Sequence, residues 1–168
     1  IQGFSFKKYA WKQFKKNKVA LISLYLLGAM ILIALCSPYI ANDKPLYVVY
    51  KGETLYPAFE KEGKYIINEN TDSEEIIEFN NMVKFKWKEL NYDNVIWPLI
   101  TFSPTTQDEY NVDYKSPSGK QEYKNAEGKI VESPSKFRHH LGTDKLGRDL
   151  ASGLIHGTKI SLTVGIVS

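Results

Sequence analysis

The chain has 168 residues and a net charge of +3, with 43% hydrophobic and 13% aromatic residues. That aromatic load argues against disorder, because such surface asks to be buried. The single cysteine, Cys36, excludes an intrachain disulfide. Charge is unevenly placed: six Lys and no acid in residues 1–18, 13 basic against 17 acidic groups in 42–140, and three against two in 141–168. The basic excess lies beside a hydrophobic run, which argues against a nucleic-acid surface.

The sequence begins at Ile1 rather than Met and ends inside an apolar run, so we expect a fragment cut at both ends. Residues 1–18 carry Lys7, Lys8, Lys12, Lys15, Lys16 and Lys18. Phe6, Ala10 and Phe14 share one face if 4–17 is helical, and Tyr9 and Trp11 add rings suited to a membrane boundary. This is expected to be an interfacial segment.

Residues 19–41, "VALISLYLLGAMILIALCSPYIA", contain no charge. As a helix they would cover roughly 34 Å, against about 30 Å of hydrocarbon core. A run apolar on all faces is hard to enclose in a soluble domain of this size, so a transmembrane helix is predicted. The six lysines place its N-terminus in the cytoplasm. The run is too long for the apolar core of a signal peptide, and no A-x-A site follows. A lipoprotein signal ending at Cys36 would need a small residue where Leu35 stands.

Residues 42–138 hold six of the seven prolines. "YVVY" at 47–50 and "KYIIN" at 64–68 have strand character. "MVKFKWK" at 82–88 alternates with a period of two, as a half-buried strand would. "NVIWPLITFS" at 94–103 reads as a strand broken at Pro98. Residues 74–79 are expected as a short helical turn, and 116–120 and 125–129 as turns. A small β-rich extracytoplasmic module is predicted.

No catalytic or metal signature is present: no HExxH, no paired cysteines, no Gly-x-Ser-x-Gly. No catalytic residue, cofactor or metal site is assigned. His139 and His140 point opposite ways in an extended chain and make no ready chelate. They are expected to be solvated or interfacial.

The chain closes on "HHLGTDKLGRDLASGLIHGTKISLTVGIVS". Thr143 and Asp144 are good N-cap residues. A helix starting there would set Asp144 four residues before Arg148, the favourable order for an ion pair. Asp149 near that end is favoured by the helix dipole, while Gly147 suggests a close backbone approach or a break. Gly153, Gly157, Ser161 and Gly165 recur every four residues, a small-xxx-small ladder that lets another helix approach closely in a membrane. From Ile160 only about 14 Å of helix remains, too short to span. We therefore expect a motif and surface helix over 139–158, and the start of a truncated second span over 159–168.

This closing stretch resembles the segment before the second span in one permease subunit of dipeptide, oligopeptide and nickel ABC importers, which typically reads LGTDxxGRDxxSRLIYGxRISLxVG. "WKQFKKNKVALISLYLL" is similar to that family's basic-aromatic lead and first helix. "SPYIANDKPL" and "WPLITFS" look most like the branch handling longer oligopeptides and microcin C-like peptides. The resemblance implies an α-helical integral membrane permease of the type I ABC importer fold, here a fragment, with the β-rich insertion between its first two spans. It implies a multi-pass subunit of the cytoplasmic (inner) membrane, working with a homologous second permease subunit, two cytoplasmic ATP-binding subunits and an extracytoplasmic substrate-binding protein. It implies no covalent chemistry. Gly142, Thr143, Asp144, Gly147, Arg148 and Asp149 would be the structural motif, and Gly153, Gly157, Ser161 and Gly165 the helix-packing set. Gly153 stands where the family has Arg, His156 where Tyr is common, and Lys159 where Arg is usual. The insertion would dock the binding protein or partly cover the pathway entrance. A different class of reading is a membrane-anchored extracytoplasmic binding or sensor domain, which leaves the ladder and the closing motif unexplained. An anchored hydrolase would lack any nucleophile–base pair.

Overall fold

The computed structural model describes residues 6–50, 52–59, 64–68, 73–77 and 87–168. Two helices open the chain. Helix α1 spans Phe6–Lys16 and α2 spans Lys18–Ile40. Asn17 separates them: its amide donates to the Phe14 carbonyl, and its side chain accepts from the Ala20 amide at 3.1 Å, capping α2. In α1, Trp11 and Phe14 stack, and the Lys15 ammonium lies 5.4 Å from the Trp11 ring.

Helix α2 buries only Ala34 and Ser37. Its leucines and isoleucines, from Ile22 to Leu35, face outward. Pro38 sits in the last turn, where the chain is about to leave the helix. There Asn42 Nδ2 donates to the Pro38 carbonyl, and the Ser37 hydroxyl donates to the Ala34 carbonyl, so end carbonyls and a buried hydroxyl are satisfied.

The polar middle is built of short strands joined by irregular chain. β1 (Tyr47–Tyr50) pairs antiparallel with β2 (Glu53–Leu55) on one side and β5 (Asn94–Ile96) on the other. β3 (Lys64–Asn68) and β4 (Ser73–Ile77) form one two-stranded sheet. β6 (Glu122–Lys124) and β7 (Ile130–Glu132) form another. Single turns of 3-10 helix lie at Trp87–Glu89 and Ser135–Phe137. Val48, Leu55 and Trp87 are buried together, flanked by Tyr50, Leu90, Tyr92, Val95 and Trp97. A second apolar group, Ala41, Ile100, Phe102 and Ala151 with Ile155, ties the module to both long helices. There Ile100 donates to the Ile40 carbonyl, and Asn42 donates to the Ile100 carbonyl.

Several local expectations change. Residues 73–77 are strand β4, not the start of a helical turn, because they pair residue for residue with β3. Residues 78 and 79 lie outside the described residues. So do 82–86 of the predicted strand at 82–88, whose end, Trp87 and Lys88, is 3-10 helix. Break and turns stand where read: β5 stops before Pro98, Gly119 donates back to Ser116, and Gly128 back to Asn125.

Helix α3 runs without interruption from Leu150 to Val167. Its first turn packs on the end of α2, with Ala151 and Ser152 buried. His156 Nε2 donates to the Ala41 carbonyl at 2.9 Å, closing one of the open carbonyls at that end. Both α2 and α3 are long and apolar enough to cross a membrane.

Candidate functional site

The site is the turn at 139–149, in which Gly142, Gly147, His139, Thr143, Asp144, Arg148 and Asp149 each have a physical task. It is not the first turn of a helix, as an N-cap at Thr143 or Asp144 would require. The helix starts at Leu150, and Asp149 caps it, its Oδ1 accepting from the Ser152 amide at 2.6 Å. Ahead of it the chain closes on itself through a bridge between Thr143 and Asp149. The helix cannot begin earlier because Gly142 and Gly147 adopt φ of +81° and +78°, left-handed values that end a helix rather than continue one.

Both glycines are also dictated by contact. A Cβ on Gly142 would collide with the Lys115 carbonyl, and one on Gly147 with the Asp108 carbonyl. The turn is pressed backbone to backbone against residues 108–115. The Asp108 amide donates to the Gly147 carbonyl, Thr143 to that of Lys115, Asp113 to that of Lys145 and Tyr114 to that of Asp144. Asp113 and Tyr114 themselves take φ of +59° and +57° to make this fit.

Thr143 is buried at the centre. Its hydroxyl donates to the Asn111 carbonyl at 2.7 Å and accepts from the Lys115 amide at 3.0 Å. Asp144 organises the turn: Oδ1 accepts from the Leu146 and Arg148 amides, and Oδ2 from Arg148 Nε at 2.7 Å. The Arg148 amide first, then the Arg148 side chain and the Leu146 amide, hold its carboxyl below the ordinary value. The pair is partly exposed.

His139 is the residue that the sequence reading missed. It is fully buried, not solvated. Its Nδ1 lies 2.8 Å from Asp149 Oδ2 and its Nε2 3.1 Å from Asp108 Oδ2. With a carboxylate at each nitrogen, both nitrogens act as donors, which is the imidazolium form. Burial opposes that charge, but the hydrogen bonds to Asp108 and Asp149 outweigh it and raise the histidine above its ordinary value. Burial likewise pushes Asp108 up. Its bonds from His139, Asn111 and the Tyr110 amide outweigh this, and the carboxyl sits below its usual range.

One face of the imidazole stacks on Phe102, centroids 3.7 Å apart. The Lys88 ammonium also lies over the Phe102 ring, 3.3 Å from its centroid. Residue 88 is partly exposed as a whole, but burial of the ammonium pushes it down to about 7, against the pull of Asp108, Asp43 and Asp149. Gln121 completes the cage: Oε1 accepts from the His139 amide at 2.7 Å and Nε2 donates to the His139 carbonyl. Nothing in the local sequence around His139 signalled these partners, since Asp108, Asn111 and Gln121 come from another stretch of chain.

The arrangement is structural in character. The imidazolium bridges Asp108 of the polar module to Asp149, the cap of α3, and thereby fixes how that helix leaves the module. No group of three or more His, Cys, Asp or Glu side chains suited to a metal occurs among the described residues. The second predicted set lies apart from this network. Gly153, Gly157 and Gly165 have nothing within 4 Å of an added Cβ, and Gly153, Ser161 and Gly165 are exposed. Within the described residues α3 turns Ala151, Ser152 and Ile155 inward instead.

Two long helices, almost unburied within the chain and joined through a polar module, are apolar enough to cross a membrane and, with the family match that follows, support an integral membrane protein. Residues 5–57 match the family model of the N-terminal transmembrane domain of oligopeptide transport permease C. The chain is similar to a peptidoglycan transport system permease protein, YejE, of Agrobacterium fabrum, 27% identical over 95% of this chain and 43% of that protein. It is similar to an inner membrane ABC transporter permease protein, YejE, of Escherichia coli, 26% identical over 94% of this chain and 40% of that protein. It is also similar to a dipeptide transport system permease protein, DppC, of Lactococcus lactis, 24% identical over 99% of this chain and 36% of that protein. The chain thus spans about two fifths of the length of these curated relatives. No solved structure matches it.

Proposed function

We propose that the chain is the N-terminal part of a permease subunit of an ABC importer for peptides. It lines a translocation pathway together with a homologous second permease subunit, powered by two separate ATP-binding subunits and fed by a substrate-binding protein. The observation that carries this reading is likeness to named transport permeases across both apolar helices and the whole module between them. A membrane-anchored binding or sensor domain would account for α2 and the module, but not for a second long apolar helix locked to the module through His139. The subunit is multi-pass in the cytoplasmic membrane. Its lysine-rich residues 1–18 are cytoplasmic and interfacial, 19–41 is the first span, and 42–138 is extracytoplasmic. The motif of 139–158 sets the second span, which continues through 159–168. The ladder of Gly153, Gly157, Ser161 and Gly165, open on this chain, faces a helix of the rest of the transporter.

Disruption of the gene in its host, followed by uptake of a labelled oligopeptide, tests the reading. Uptake is expected to fall to background and return with the intact gene, and affinity capture from detergent is expected to bring down an ATP-binding subunit. Unchanged uptake together with capture free of any ATPase would favour the anchored binding domain. Impermeant thiol labelling tests the topology: a cysteine at Ser118 reacts in whole cells and one at Gln13 does not.

A further inference from the structure

We propose that the β1–β2 hairpin anchors this protein in the lipid headgroup layer at the C-terminal end of α2, through Tyr39, Tyr56, Phe59 and Leu99. The inference rests on α2 being a membrane span. Strand β1 leaves that end of the span, and β2 runs back antiparallel to it, with Val48 opposite Leu55. The chain after β2 must therefore return to the level at which β1 began. The rings of Tyr47 and Tyr56 accordingly meet, with centroids 5.6 Å apart. Phe59 then stacks on Tyr39 at 4.9 Å. Tyr39 belongs to the last turn of α2, so this contact fixes the depth of Phe59 at the boundary of the span.

The return is held firmly. Pro45 and Pro57 are fully buried, the Ala58 amide donates to the Pro45 carbonyl, and the Phe59 amide to that of Tyr56. Leu99 reaches the same level by another route, since its neighbour Ile100 is hydrogen-bonded to Ile40 and Asn42. Despite this order the side chains are uncovered: Tyr39 is 44% exposed, Tyr56 45%, Phe59 56% and Leu99 79%. Two amphipathic tyrosine rings beside the apolar Phe59 and Leu99, level with the end of a span, have the chemistry of a membrane–water boundary, where a tyrosine places its apolar body in acyl chain and its polar tip in water. Continuity with the span singles out lipid as the occupant over a soluble partner.

Site-directed nitroxides test this in the intact protein, Cys36→Ser background, reconstituted into phosphatidylethanolamine–phosphatidylglycerol liposomes. Labels are placed at Phe59→Cys and, as a second reporter, Tyr56→Cys. Collision with oxygen is compared with collision with a water-soluble nickel chelate. The expected result is oxygen-dominated collision at both positions and the reverse ratio at Ser118→Cys, an exposed turn residue. Chelate-dominated collision at 56 and 59 overturns the anchor, and suppression of both collisions there overturns it in favour of a protein partner. Leu32→Cys in mid-helix separates the underlying reading. Oxygen-dominated collision at 32 with chelate-dominated collision at 59 removes the anchor alone, whereas chelate access at 32 removes the span and the anchor with it.

Discussion

Helix α2 and the turn at 139–149 solve the burial problem in opposite ways. The helix satisfies its interior backbone groups within itself, borrows partners only at its ends, and leaves its apolar side chains uncovered, as suits a segment surrounded by lipid. The turn has almost no regular backbone pattern. It is held by buried polar side chains, His139, Thr143 and Asp149, each fixed against a distant part of the chain or the start of α3. Substitutions should therefore be forgiven along most of α2 if they stay apolar, and punished in the turn even when they conserve size.

The sharpest way to break this contrast is His139→Ala. It would leave the buried Asp149 and the part-buried Asp108 without their shared partner, and removing one member of a buried charge pair costs about 3–5 kcal/mol. Thermal unfolding of the reconstituted protein should show it, while Leu32→Ile in α2 leaves the midpoint unchanged. Equal midpoints for the two variants would erase the distinction.

Gly147→Ala comes next. A side chain at positive φ costs about 1–3 kcal/mol, and the Asp108 carbonyl stands where the new Cβ would go. Gly153→Ala, in open space on α3, should be neutral or gain up to about 1 kcal/mol from helix propensity. In the assembled transporter the same Gly153→Ala would weaken subunit association if the ladder faces a partner helix, measured as loss of co-purifying permease subunit.

The network also sharpens the comparison through pH. His139 is raised, so its stabilisation is complete below about 6.5 and is lost as pH rises through the higher folded-state value. Lys88 is lowered to about 7, so its charged form is disfavoured by folding. Between about 7 and the ordinary lysine value the unfolded chain binds the extra proton, and stability rises with pH on this account. The two trends oppose each other above neutrality. Lys88→Met should raise stability most below pH 7 and steepen the loss above it, read from unfolding midpoints across pH 6–10. A pH profile parallel to that of the parent would refute the assignment.

The smallest effect is expected at the exposed pair. Asp144→Asn keeps the oxygen that accepts from the Leu146 and Arg148 amides and should stay near the parent, whereas Asp144→Ala loses that as well. Reversal of charge at Asp144 or Arg148 alone should impair transport more than reversal of both, since the ion pair is restored in the double variant. Additive losses in uptake would argue against pairing.

Much of the membrane framework was determined by the sequence alone. A charge-free stretch of the right length, preceded by six lysines, admits a span on composition and geometry, and α2 falls within one residue of the expected bounds. β-Branched and aromatic composition and turn residues located β1, β3, β5 and the turns at 116–120 and 125–129, because those signals are local. The closing motif was also visible, but as a helix start, since capping preferences describe residues and not their neighbours in space. Only tertiary structure decided that Gly142 and Gly147 meet the 108–115 backbone, that Asp149 and not Asp144 caps the helix, and that His139 is buried. His139 and Asp108 are 31 positions apart, and Thr143 and Asn111 are 32 apart. Contacts of that separation leave no periodicity in a sequence, so the burial and charge of His139 exist only once the chain has folded.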